Sequence, residues 1–205
     1  MRWMILAMLV GCGGSSQLAA DAARDAVPDS AGEGPNLLQN SDFEQLDGSG
    51  WVVDWQNFDG NPDGQIVVVG MAHSGAHALQ WQTDAAGDGR EYFVTQHGLT
   101  PQQLQGGHRY ALAGWYYVDQ PGNVAINYVV RGQPGMEPEV DTLSDVPLFP
   151  SVVGQWAEFR YEFMLPADPI PDTFDVTLHS IKFNGVATNL TLDDVRLVEL
   201  LPQGG

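Results

Sequence analysis

The 205-residue sequence is poor in bases, thiols and long apolar runs, and each shortage removes a class of function. Lysine and arginine number 8 against 26 aspartates and glutamates, for a formal net charge of −18. Nucleic acid is excluded as a partner, because a phosphate-binding surface needs clustered cations. Electrostatic docking to anionic lipid is disfavoured for the same reason. The acidity suits a solvated surface, divalent-cation sites or a neutral partner, and solubility alone would account for it. The single cysteine, Cys12, cannot close an intramolecular disulfide, so a folded domain must stand on its apolar core. The length allows one such core. The sequence contains no G-x-S-x-G elbow, P-loop or G-x-G-x-x-G fingerprint. Carboxylates are plentiful, yet no spacing selects a glycosidase pair, and an enzyme is not expected. His73 and His77 are separated as zinc ligands would be on a helix, but they flank a Ser-Gly turn and lack the glutamate of H-E-x-x-H.

What is present begins at the N-terminus. Arg2 precedes an apolar run over residues 3–10, then Gly11 and Cys12. That run falls well short of the ~20 residues of a transmembrane helix; a basic start, apolar middle and small end describe a secretory signal. Leu9-Val10-Gly11-Cys12 resembles the bacterial lipobox. The resemblance implies removal of residues 1–11, acylation of Cys12, and a lipid anchor in the bacterial cell envelope, at the outer membrane or cell surface rather than the inner membrane. Acyl chains contribute about 0.8 kcal/mol per buried CH₂, so two or more hold stably to a bilayer. The alternative is a chance cysteine in an ordinary signal peptide. Residues 12–35 are rich in Gly, Ser, Ala, Asp and Pro and read as a flexible acidic tether.

From residue 36 to 200, apolar residues alternate in short runs punctuated by Gly, Pro, Asn and Asp. Strands are expected at 51–56, 65–69, 76–82, 91–97, 109–118, 123–131, 156–165, 174–183 and 190–200, with a helical turn at 101–105 and a tail at 201–205. Eight or nine strands without helical periodicity predict an all-β fold, a β-sandwich of jelly-roll type. Each strand carries one apolar face. The second face of 109–118 bears Arg109, Ala111, Ala113, Trp115 and Tyr117. Small residues edged by aromatics suit a shallow groove; they equally suit aromatics packed beneath loops.

Five short motifs then fall in order along this domain. Residues 36–44 (NLLQNSDFE), 73–79 (HSGAHAL), 106–112 (GGHRYAL), 156–159 (WAEF) and 192–197 (LDDVRL) resemble the galactose-binding-like jelly-roll carbohydrate-binding modules found beside cellulases and xylanases. Ser41 stands where that family usually has glycine, and Gly114 where it commonly has a core aromatic. The resemblance implies non-catalytic binding of a polysaccharide or other glycan. Tyr92, Trp115 and Tyr117 are the stacking candidates, and Asn127, Arg131, Glu158 and His179 the polar ones. It also implies a structural calcium site at Asp42, Glu44, Ser74, His77 and Asp193, with a main-chain carbonyl and a carboxylate from Asp42 and Glu44, backbone carbonyls from Ser74 and His77, and a carboxylate from Asp193, as a hard cation prefers oxygen. Glu44 and Asp193 as plain surface carboxylates is the competing reading. A surface-interaction or structural lipoprotein using the same sandwich for protein contacts is the alternative function, and a small hydrolase a distant third.

Overall fold

A computed structural model describes residues 32–58, 64–83, 91–100, 102–120, 124–132, 141–143, 151–167, 174–182 and 188–202. Cys12, the signal segment and most of the expected tether lie outside them. The strands are β1 (Gln56–Phe58), β2 (Gly64–Val69), β3 (Ala78–Thr83), β4 (Glu91–Leu99), β5 (Arg109–Val118), β6 (Val124–Gly132), β7 (Asp141–Leu143), β8 (Ala157–Met164), β9 (Phe174–Lys182) and β10 (Thr188–Glu199). Two five-stranded sheets result, a first in the order β1-β4-β9-β6-β7 and a second in the order β2-β3-β10-β5-β8. Every strand pairing within the two sheets is antiparallel.

Alternation sets the packing. Tyr110, Leu112, Tyr116 and Val118 of β5 are buried in one cluster with Leu190, Leu192 and Leu197 of β10, Phe159 of β8, and Val176 and Leu178 of β9. Side chains of Leu and Phe size contribute about 1.5–3 kcal/mol each when fully buried, so this inter-sheet layer carries the domain. Gly114 sits inside that layer because Phe159 takes the space: a Cβ there would lie 2.8 Å from the Phe159 ring and 3.2 Å from Val195 Cα. The ring that fills the layer at this point comes from the neighbouring β8.

Three expectations are revised. Residues 51–55 do not extend into a strand. Asp47 Oδ1 accepts the Trp51 amide at 3.0 Å, the Trp51 indole donates to the Trp55 carbonyl at 2.6 Å, and Asp54 takes a left-handed φ of 69°. These close a tight loop, and β1 begins only at Gln56. The three-residue β7 was not anticipated; it is too short to show a period. Residues 32–34, assigned to the tether, continue the sheet: Glu33 bridges Leu200, and the Gly34 amide donates to the Glu199 carbonyl at 2.9 Å. At 100–104, the Thr100 carbonyl accepts from both Gln103 and Leu104, a single turn as expected.

Candidate functional site

The motif residues of the two chain ends meet at the 73–77 turn. Asp193, 0% exposed, accepts the His73 and Ser74 amides on Oδ2 at 2.7 and 3.1 Å, and the Asp194 amide on Oδ1 at 2.7 Å. Glu44 accepts the Ala76 and His77 amides on Oε1 at 2.7 and 2.8 Å, with His77 Nδ1 3.2 Å from Oε2. Asp194, at a left-handed φ of 48°, completes the clasp by meeting His73 Nδ1 at 2.6 Å and accepting the Ser74 hydroxyl at 2.7 Å. Gly75 is required twice over: its φ is +64°, and a Cβ there would run into the Glu44 carboxylate.

The two carboxylates respond oppositely to this setting. The His77 and Ala76 amides hold the Glu44 carboxyl below its usual value. Burial pushes Asp193 up, against the pull of its amide donors and with the Asp194 charge adding to the rise.

The expected calcium set is brought together in part, with Glu44, Ser74, His77 and Asp193 meeting at one clasp. Ser74 and His77 aim N–H groups at the carboxylates. Asp42 is exposed; its Oδ1 faces its own Glu44 amide at 3.5 Å. N–H dipoles pointing into the site favour an anion and oppose Ca²⁺, which takes 6–8 oxygens. Among the described residues, no group of three or more His, Cys, Asp or Glu is placed to hold a metal ion. The residues do not fit calcium.

The proposed sugar-contacting residues divide between the sheets. Trp115 and Tyr117 lie on β5 and Glu158 on β8, all on the outer side of the second sheet. The Trp115 ring is capped: His73 from the clasp stacks on it at 4.0 Å and 10°, and Trp156 meets His73 edge-on at 5.7 Å. Tyr117 packs against Trp156 at 5.9 Å. Farther along the same face, a ladder of charge covers the buried Ala111 and Ala113. Glu158 pairs with Arg196 (2.8 Å) and Arg196 with Glu33 (4.0 Å); Arg160 joins Glu33 (2.8 Å) to Glu162 (3.2 Å), which meets Arg109 (2.8 Å). Such half-exposed pairs contribute about 0–1 kcal/mol each, but together they occupy the surface. At Trp115 the outer face of the second sheet is aromatic packing beneath a loop rather than an open trough.

Tyr92, Asn127, Arg131 and His179 lie in the first sheet. Asn127 is in register with His179, and His179 with Phe93; Arg131 is opposite Asp175. Tyr92 is opposite Ser180, one position out of step with the Asn127–His179 row. The seven candidates thus do not form one site.

Sequence reasoning missed a different concavity. Beside edge strand β1, a hollow of about 390 Å³ is lined by Asp47, Trp51, Val52, Val53, Asp54, Trp55, Gln56 and His97. A smaller one of about 100 Å³ adjoins it across Asp54 and His97, with Gln39, Gln96 and Gln103 in its walls. His97 is held from both sides, Nδ1 2.9 Å from Asp175 and Nε2 2.7 Å from the Gln56 amide oxygen. Trp51 and Trp55 fall in the segment expected as a strand at 51–56; that His97 would join them depends on the β1–β4 register.

No family model matches the sequence, and no curated protein matches it. Solved structures do. The CBM22-1 xylan-binding domain of Xyn10C from Paenibacillus barcinonensis superposes with a TM-score of 0.55 at 15% identity, covering 84% of this chain and 99% of that one. A family 16 carbohydrate-binding module gives 0.51 at 18% identity, covering 80% and 100%. The arabinose-bound α-L-arabinofuranosidase MgGH51 gives 0.58 at 14% identity, with 82% of this chain matching 27% of the enzyme. At these identities the likeness is one of fold, and the chain is an all-β sandwich of the jelly-roll kind seen in carbohydrate-binding modules.

Proposed function

We propose that this protein binds carbohydrate without transforming it, from a sandwich tethered to the bacterial cell envelope through an acylated Cys12. The observation that carries the binding reading is the extent of the match. The sandwich coincides with 99% and 100% of two chains that are themselves binding modules, but with only 27% of a glycosidase chain. The acidic surface supports a neutral partner, since a net charge of −18 repels anions at long range. The lipobox-like Leu9-Val10-Gly11-Cys12 and the polar segment after it support the anchor.

Probing a glycan microarray with the full-length protein in detergent tests the binding reading; saturable signal on a family of related glycans is expected, and a blank array spanning plant, algal and cell-wall polysaccharides refutes it. Membrane fractionation tests the anchor. Cys12→Ser is expected to shift the protein from the membrane pellet to the soluble fraction, and unchanged pelleting refutes acylation at Cys12.

A further inference from the structure

We propose that the hollow beside β1 seats one ring of a neutral saccharide, with Trp51 as the stacking surface and Asp54 as the principal hydroxyl acceptor. The proposal rests on the carbohydrate reading above and assigns it a place. The volume, about 390 Å³, falls within the ~300–1,000 Å³ usual for small-ligand sites.

The walls are held in position before any ligand arrives. Trp51 lines the hollow, is partly exposed, and has its indole N–H committed to the Trp55 carbonyl at 2.6 Å, which fixes the ring that a sugar would meet. Asp47 Oδ1 accepts the Ser49 amide at 2.8 Å, the Ser49 hydroxyl at 2.6 Å and the Trp51 amide at 3.0 Å, locking the loop that carries the tryptophan. His97 is fixed between Gln56 and Asp175 on the far wall. Little ordering is left for binding to impose, and preorganisation of this kind raises affinity.

Asp54 adds an independent pointer. It is a non-glycine residue at φ 69°, exposed, and common to both hollows. A non-glycine residue in the left-handed region at the lip of a concavity places its carboxylate where a ligand in either hollow could meet it.

The same walls set the ligand class. Asp54 presents a carboxylate that accepts charge-assisted bonds from sugar hydroxyls, and its charge together with that of Asp47 repels uronate or sulfate groups. Neutral glycans are selected over acidic ones.

The test titrates full-length protein with xylohexaose, cellohexaose and galactan oligosaccharides, and with oligogalacturonate as the acidic probe, alongside the microarray. For the neutral glycan that binds, Trp51→Ala is expected to weaken binding roughly tenfold or more. Because Trp51 also packs against the core, Asp54→Gly provides the cleaner variant. It relieves the left-handed strain, so its melting temperature is expected to equal or exceed the wild type's, while affinity falls roughly fivefold or more. Binding within twofold of wild type in both variants overturns this site and leaves the carbohydrate reading standing. Stronger binding of oligogalacturonate than of any neutral probe overturns the ligand class. A blank array and no binding of any probe refute the carbohydrate reading and this site together.

Discussion

Replacing Asp193 by alanine tests the clasp that ties the two chain ends to the 73–77 turn. The substitution strands three backbone donors, those of His73, Ser74 and Asp194. A hydrogen bond to a charged acceptor contributes about 1.5–3 kcal/mol. His73 and Ser74 are exposed, so water recovers part of their loss and the lower end applies to each. Relief of the desolvated charge offsets a further fraction, leaving a net destabilisation of about 3–4 kcal/mol. For a domain of this size that lowers the melting temperature by roughly 6–16 °C. Asp193→Asn keeps an oxygen for the first two amides but turns an NH₂ toward the third, and about 1–3 kcal/mol is the expected cost. Thermal melts followed by far-UV circular dichroism, each with EDTA and with millimolar calcium, read both effects. The wild-type midpoint is expected to move by less than about 1 °C between those two conditions, since N–H donors and not a cation satisfy the carboxylates. A chelator-induced drop of several degrees, or an Asp193→Ala midpoint within about 1 °C of wild type, refutes the reasoning.

Three further outcomes follow from the same packing. Gly114→Ala pushes a methyl group to 2.8 Å from the Phe159 ring, and overpacking of this kind costs about 1–3 kcal/mol, read by urea denaturation; an unchanged midpoint contradicts it. Gly75→Ala displaces the Glu44 carboxylate as well as straining φ, so amide hydrogen exchange at residues 76 and 77 should accelerate while the sheets stay protected. Glu44 has its folded value held below the usual 4.5, so its contribution is present above that pH and lost as pH falls through the folded value. The stability advantage of wild type over Glu44→Gln should therefore shrink below about pH 4.5, and a constant difference from neutral to acid contradicts the direction.

Much of the sandwich was legible because period-two alternation is a local property: 109–118 matches β5, and the runs at 156–165 and 190–200 fall within about two residues of β8 and β10. Residues 51–55 misled because two tryptophans separated by β-branched valines look extended, while the bonds that curl them run from side chains to local backbone. The motifs located Glu44, Ser74, His77 and Asp193 at one place. They could not say which backbone atoms would face the carboxylates, since that depends on the left-handed Gly75 and Asp194. Strand parity put Trp115 on the outer face, but its cap, His73, comes from a turn that follows β2. The division of the seven sugar candidates between two sheets follows from strand order, which alternation does not encode.

Affinity electrophoresis of the full-length protein through gels cast with xylan, β-glucan or galactan reaches the central claim most directly. Retardation that deepens with polysaccharide concentration in at least one neutral gel, and fades when the matching oligosaccharide is added, is the result the account requires. Migration identical to a polysaccharide-free gel in every neutral matrix contradicts it.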